Sequence, residues 1–302
     1  MKNVWIDCDP GIDDSIMLKI AADHRDLFNI AGISAVAGNQ SSDKVLANAL
    51  SLSAFLGMED VPVSRGAQRP LLKEAEDAGD VHGKNGLGDV EIPYTEKKET
   101  GISGVLAMRN AIMSLDDSEK MTLVTTGPMT DAALLLRTFP ECIDKIEEIV
   151  LMGGSGIEGN VTPFAEYNVY ADPEAAQIVY TSGLPIVMCG LDVTNQCRIY
   201  KDQIARMAAS SDPVTNTYGR ILTYYANCDF HLNMDYIQAH DTTTFLYLLH
   251  PELFSGRKVT IEVICDGEQT GRTVCSDGGN VLLIDTVDAD KYNEIIMDCF
   301  EL

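Results

Sequence analysis

Val4-Trp5-Ile6-Asp7-Cys8-Asp9-Pro10-Gly11-Ile12-Asp13-Asp14 is the stretch from which the rest of this chain is read. It sets four carboxylates in eight positions, directly after a short apolar run. Residues 4–8 have the character of a buried strand. Pro10 and Gly11 make a turn, and residues 12–22 then carry Ile16, Met17, Ile20 and Ala21 at helical spacing. The acids therefore fall at the C-terminal end of a strand and the start of a helix. Open α/β sheets bind their ligands there, and a helix start favours negative charge. Four like charges that close repel one another and raise each other's pKa. A cation among them relieves that repulsion, and a loop crowded with carboxylates suits Ca²⁺ better than Mg²⁺. A solvated turn with Asp as a helix cap accounts for one such residue, but poorly for four behind a buried strand.

Strand-like and helix-like segments alternate onward from this stretch. Residues 30–37 read as a strand and 42–56 as a helix. A strand follows at 121–125, then a helix at 130–139 with Thr130 or Asp131 near its N-cap. The next strand is 149–152. Residues 173–182 form a helix, with Asp172 as N-cap, Pro173 in the first turn and Gly183 as the stop. Residues 184–189 form another strand. This β-α-β rhythm predicts an α/β fold with a mainly parallel central sheet and helices on both faces. Residues 200–249 read as helical, with aromatics at 218, 224, 225, 230 and 236. Short strands are expected at 259–265, 272–275 and 281–284, and a final helix at 289–300. Residues 75–100 are rich in Gly and charge and read as one long loop. With no repeat or linker, a single domain over 1–302 is expected.

The 302 residues are enough to bury a large core, and 45% are hydrophobic. The net charge of −24 argues against a nucleic-acid groove, a polybasic membrane patch and a polyanionic substrate. A neutral small molecule fits better. Met1-Lys2-Asn3 runs straight into the first strand and no apolar run is long enough to span a bilayer, so neither a signal peptide nor a membrane span is expected. Eight scattered cysteines without a C-x-x-C pair read as reduced core thiols, so a cytoplasmic setting is expected.

Other polar groups follow strand ends as the first cluster does. Gly38-Asn39-Gln40 follows the second strand and Thr125-Thr126-Gly127-Pro128 the third. Residues 153–168, with Asn160, Thr162, Glu166 and Asn168, follow the next, and His240-Asp241 opens a later helix. In a parallel sheet these loops converge on one edge. The combined set is rich in carboxylates and carboxamides and poor in Arg and Lys. It suits a hydroxyl-rich neutral ligand such as a sugar, not a phosphate. Taken singly, Asn39 and Asn160 also read as turn residues, His82 as a surface histidine and His240 as a helix-start residue. Trp5 reads as core.

Asp7-Cys8-Asp9-Pro10-Gly11-Ile12-Asp13-Asp14 resembles the N-terminal signature of the inosine–uridine-preferring nucleoside hydrolases. The resemblance continues in order through Gly38-Asn39-Gln40, His82-Gly83, Gly86-Leu87-Gly88 and Thr126-Gly127-Pro128-Met129-Thr130. It then runs through Met152-Gly153-Gly154, Gly159-Asn160, Glu166-Tyr167-Asn168, Asp172-Pro173-Glu174-Ala175-Ala176 and His240-Asp241, covering about residues 3–250. It implies an open Rossmann-like fold and hydrolysis of the N-glycosidic bond of ribonucleosides. One Ca²⁺ is implied as cofactor, held by Asp9, Asp14, Asp241 and the carbonyl of Thr126, with Asp9 also the general base for water. Asp13, Asn39, Asn160, Glu166 and Asn168 match the ribose-binding residues, and Met152 packs on the sugar. Asp7 supports the loop from behind. His240 matches the histidine beside the leaving base, assisting its departure when protonated, and His82 matches one found in pyrimidine-preferring members. A homo-oligomer, dimer or tetramer, is also implied. Thr242-Thr243-Thr244 stands where the family commonly has Pro or small apolar residues.

The implied chemistry agrees with the residues. The bond breaks through an oxocarbenium-like state, which carboxylates and amide oxygens around the ribose stabilise. Members selective for purines are associated with tryptophan stacking, and Trp5 lies in the first strand. Tyrosines at 218, 224, 225 and 236 offer a face instead, so uridine and cytidine are the expected substrates, with inosine second. Two rival classes exist. A haloacid-dehalogenase-type phosphatase shares D-x-D after a first strand, but needs Thr or Val where Gly11 stands. A non-catalytic Ca²⁺ or nucleoside-binding protein would not need every catalytic position filled.

Overall fold

Seven parallel strands form most of a nine-stranded sheet in the computed structural model, which describes residues 1–76 and 78–302. In chain order the strands are β1 (Lys2–Cys8), β2 (Phe28–Ala35), β3 (Val63–Arg65), β4 (Met121–Thr125), β5 (Ile146–Met152), β6 (Ile186–Cys189), β7 (Arg198–Tyr200), β8 (Tyr236–Gln238), β9 (Phe254–Val263), β10 (Thr273–Asp277) and β11 (Val281–Val287). The sheet order is β10-β9-β11-β6-β5-β4-β1-β2-β3, and β7 and β8 form a separate antiparallel ribbon. Strand β9 is antiparallel to both of its neighbours. The chain moves outward from β1 to β3, then returns to lay β4 on the other side of β1. The order therefore reverses between β1 and β4, where Asp7 pairs with Thr125. A crevice at the carboxyl ends of such strands is the ligand site of open α/β sheets.

Alternation along β1 assigns its side chains to two cores. Ile6 and Cys8 pack with the helix Ile12–Asp23 and its neighbours on one face. Trp5 packs on the other face with Met121, Leu123 and Ile149, and is buried as expected. Apolar cover on both faces explains why β1, β4 and β5 read as near-continuous apolar runs. No helix among the described residues is long and apolar enough to cross a membrane.

The largest departure from the sequence reading lies between residues 200 and 249. That region holds the helices Lys201–Ala208, Pro213–Ala226 and Thr242–Leu249, with β8 between the last two. Ser210-Ser211-Asp212-Pro213 breaks the first pair. The Asp212 carboxylate accepts from the Thr215 amide at 2.7 Å, and Pro213 takes the first helical position. Tyr236 is held in β8 by pairing with Tyr200, with the Arg198 guanidinium 4.2 Å from its ring centroid. Strand β2 ends at Ala35, because Ala37 turns away to donate to the Ala67 carbonyl. The edge strand β3 and the helix Gly104–Ser114 carry no strong sequence pattern. The segment read as one loop over 75–100 contains a short helix, Gly79–His82, and its residue Asp77 lies outside the described residues.

Candidate active site

The turn after β1 is organised by its own carboxylates. Asp14 Oδ2 accepts from the Gly11 amide at 3.0 Å and so caps the helix Ile12–Asp23. Asn39, from the loop after β2, ties the turn together. Its amide donates to Asp9 Oδ2 at 2.7 Å, and its Nδ2 reaches Asp14 Oδ2 at 3.1 Å and the Asp9 carbonyl at 3.2 Å. Thr126, after β4, donates its hydroxyl to Asp14 Oδ1 at 2.8 Å. A carboxylate can lie this close to the backbone only because glycines flank it. A Cβ on Gly38 would stand 2.1 Å from Asp9 Oδ2, and one on Gly127 would stand 2.9 Å from Asp9 Oδ1.

The electrostatics of this turn call for a cation. Burial, then Asp14, pushes the Asp9 carboxyl well above the usual carboxylate range. Burial with Asp13, Asp14 and Asp9 does the same to Asp241, and burial with Asp14 lifts Asp13 to about 7. Among the described residues, Asp9 Oδ1 and Asp13 Oδ1 are buried without a hydrogen-bond partner. Carboxylate oxygens of Asp13, Asp14 and Asp241 lie within 4.8 Å of one another. Orphaned oxygens in a close, all-oxygen set fit a hard divalent ion. The triad so grouped contains Asp13, which was expected on the sugar, and omits Asp9, which lies alongside. The Thr126 carbonyl accepts from Asn168 Nδ2 at 2.7 Å and keeps one lone pair.

Above this floor lies a cavity of about 320 Å³. Asp13, Asn39, Thr126 and Asp241 line it, together with Met152, Asn160, Glu166 and Asn168. The loop after β5 is fixed by Glu166, whose carboxylate accepts from the amides of Gly154 and Asn168 at 2.8 Å each and of Val169 at 3.2 Å. Burial nonetheless raises Glu166 to about 7. Asn160 is the exposed member of the set, and its Oδ1 accepts from the Tyr167 amide at 3.0 Å. Tyr167 locks this loop to the one after β2 by donating its hydroxyl to the Gly38 carbonyl at 2.8 Å. Asp7 stays outside the cavity. Its carbonyl accepts from the Thr126 amide at 2.9 Å, while its carboxyl takes the Ser34 hydroxyl and faces Asp131 behind the sheet.

Histidines and aromatics complete the lining. The Ile12 amide donates to His82 Nδ1 at 3.1 Å, so the neutral ring carries its proton on Nε2. His240 Nδ1 lies 2.8 Å from the Thr194 hydroxyl. Burial holds His82 down at about 4, and burial with His231 and His82 holds His240 at about 3. Burial therefore favours the neutral ring at both positions. Of the four tyrosines expected to offer a face, Tyr225 alone lines the cavity, stacked on His82 with centroids 5.9 Å apart. Tyr218 is buried and donates to the Ser15 carbonyl at 2.7 Å. Phe230, which the sequence reading did not place in a site, stands half-exposed at the mouth. Its signal was an aromatic in a stretch that breaks the helical pattern.

The sequence model of the inosine-uridine preferring nucleoside hydrolase family matches residues 4–294. The chain belongs to that family. This nucleoside hydrolase is 41% identical over 276 residues to a pyrimidine-specific ribonucleoside hydrolase, RihA, of Shewanella baltica, covering 90% of this chain and 86% of the relative. It is 37% identical over 307 residues to the pyrimidine-specific RihB of Escherichia coli O139:H28, covering 99% and 96%. Among solved structures, a plant nucleoside hydrolase superposes with a TM-score of 0.93 at 27% identity, over 99% of this chain and 98% of that one. A purine-preferring ribonucleoside hydrolase from Gardnerella vaginalis superposes at 0.91 and 28%, with the same coverage. This nucleoside hydrolase is thus a hydrolase of N-glycosyl compounds, on the fold its sequence predicts.

Proposed function

We propose that the enzyme hydrolyses ribonucleosides to ribose and free base, with uridine and cytidine favoured and inosine a second substrate. The observation that carries this reading is the mixed lining of one cavity. Carboxylates and carboxamides line it together with two histidines, Tyr225 and Phe230. The first group suits a ribose and the second a planar base. The names of the relatives support the pyrimidine preference, and the family's description supports inosine. A nine-stranded sheet that takes strands from both ends of the chain supports one domain over 1–302.

Asp9, Asp14, Asp241 and the Thr126 carbonyl would hold a Ca²⁺, with Asp13 beside them. Bound there, Ca²⁺ supplies positive charge that orients a water and makes it more acidic. Asp9 is the proton acceptor, through the Oδ1 that has no protein partner. Asp13, Asn39, Asn160, Glu166 and Asn168 bind the sugar hydroxyls and face the positive charge that develops on the ring, and Met152 packs on its face. His240 and His82 reach the base as neutral N–H donors, so they stabilise charge on the departing base without carrying a full proton to it. Asp7 backs the turn through Ser34 and Asp131. A panel of uridine, cytidine, inosine, adenosine and guanosine, followed by release of free base, tests the reading. Preference for uridine and cytidine supports it, and strong preference for adenosine or guanosine overturns the base assignment.

A further inference from the structure

Behind His240 lies a cluster of buried hydroxyls, and one of them behaves differently from the rest. Thr242, Thr243 and Thr244 each donate to the carbonyl three residues back, at 2.6, 2.8 and 2.7 Å. Thr242 also meets the Tyr292 hydroxyl, and Thr243 lies 3.6 Å from Cys197 Sγ, but each of the three has a carbonyl in its own turn to take its proton. Thr194 ends the short helix Leu191–Thr194 and is fully buried. Among the described residues its hydroxyl has one partner, His240 Nδ1, at 2.8 Å. A buried hydroxyl gives its proton to whatever acceptor it has, because leaving it unmade is costly. Here that acceptor is the ring nitrogen.

We propose that Thr194 is a positioning residue for His240: its hydroxyl donates to Nδ1 and so holds the ring with its proton on Nε2, facing the base. Among the described residues Nε2 has no protein partner, and it is not one of the sealed polar atoms. His82 gives an internal parallel, since the Ile12 amide holds that ring in the same form by donating to its Nδ1. Two rings locked by two unrelated donors present two N–H groups to one end of the cavity. A base with an acceptor next to its glycosidic nitrogen, such as the O2 of a pyrimidine, is the chemistry they fit.

Thr194 is itself held firmly. The Leu191 amide donates to the Gly154 carbonyl at 3.0 Å, and Asp192 Oδ2 accepts from the Gly156 amide at 2.7 Å. The short helix is therefore pinned to the loop that carries Asn160 and Glu166. The base-facing ring and the sugar-facing loop share one support, so the tautomer and the sugar geometry are set together.

The inference rests on the hydrolase reading, and the test separates the two. Thr194→Val keeps the shape and removes the hydroxyl, while Thr194→Ser keeps the hydroxyl. Uridine and p-nitrophenyl riboside are the substrates, the second having a leaving group that needs no proton. Thr194→Val should lower kcat on uridine about tenfold or more and on p-nitrophenyl riboside less than about threefold, and Thr194→Ser should restore uridine turnover. Equal losses on both substrates, or no loss on uridine, overturn the inference. Nitrogen-15 NMR of the wild type, with the ring assigned through His240→Gln, reads the tautomer directly. A protonated Nε2 supports the inference and a protonated Nδ1 overturns it, even if Thr194→Val does not fold. Wild type turning over neither substrate overturns the hydrolase reading, and the spectrum then judges the Thr194 contact alone.

Discussion

Asn168 Nδ2 donates to the Thr126 carbonyl at 2.7 Å and to the Met152 carbonyl at 3.1 Å, so one sugar-facing side chain braces a backbone oxygen of the proposed cation site. Asn168→Ala removes both bonds. It should cost catalysis about 1.5–3 kcal/mol in kcat/KM for uridine, more than the roughly 1 kcal/mol lost in stability, because the bonds hold the Thr126 carbonyl in place. Steady-state kinetics beside a thermal melt measure this. A large loss of Tm with normal kcat/KM would assign Asn168 to the scaffold.

Gly38 lies against Asp9 without room for a methyl group. Gly38→Ala should displace the Asp9 carboxylate, which the Asn39 amide also holds. Stability should fall by about 1–3 kcal/mol, as in other overpacked sites, and calcium affinity and turnover should fall together. Calcium titration by calorimetry would show it, and wild-type affinity in the variant would contradict the placement of Asp9.

Asp131 gives a pH prediction away from the cavity. Burial raises its carboxyl to about 6, and the facing Asp7 is raised further. The folded state thus binds the Asp131 proton more tightly than the unfolded chain, whose carboxyl titrates near 4. The contribution is fully present below about pH 4 and is lost as pH rises through about 6. Asp131→Asn keeps an acceptor for the Ala67 amide, now at 2.8 Å, and offers Asp7 a permanent donor. The stability difference, variant minus wild type, should therefore grow in the variant's favour between pH 4 and 7. Denaturant melts across that range check the sign, and a flat difference would contradict the raised Asp131 carboxyl.

Phe230 tests the base end. Phe230→Ala removes apolar surface that, on the proposed reading, touches base in the ground and transition states alike. KM for uridine should rise roughly threefold to tenfold, about 1 kcal/mol, with kcat little changed. A fall in kcat at constant KM would mean that Phe230 acts on the chemical step.

Strong local patterns made the parallel sheet and the gathering of the acidic and carboxamide residues legible in the sequence. Asp9, Asp13 and Asp14 follow a buried strand, Asn39 follows β2 and Thr126 follows β4, and parallel strands bring such loops to one edge. The base end was harder because its residues come from an irregular segment. Tyr225 and Phe230 sit where the helix Pro213–Ala226 gives way to turns, and aromatic spacing alone did not separate Tyr225 from buried Tyr218. The surroundings of His240 were also hidden, since its burial and its contact with Thr194, 46 residues away in sequence, arise only in the tertiary fold. The edge strand β3 was missed because three residues carry no periodicity.

The central claim is that this cavity breaks the N-glycosidic bond of a ribonucleoside with Asp9 as proton acceptor and Ca²⁺ as cofactor. The most direct measurement follows uracil and ribose released from uridine by the wild type with Ca²⁺, by the wild type after exhaustive chelation, and by Asp9→Asn with Ca²⁺. The account predicts equal amounts of uracil and ribose from the first. It predicts a loss of at least about a hundredfold in the other two, with chelated activity recovered on adding Ca²⁺. No uracil from the calcium-loaded wild type, or full activity after chelation or in Asp9→Asn, would contradict it.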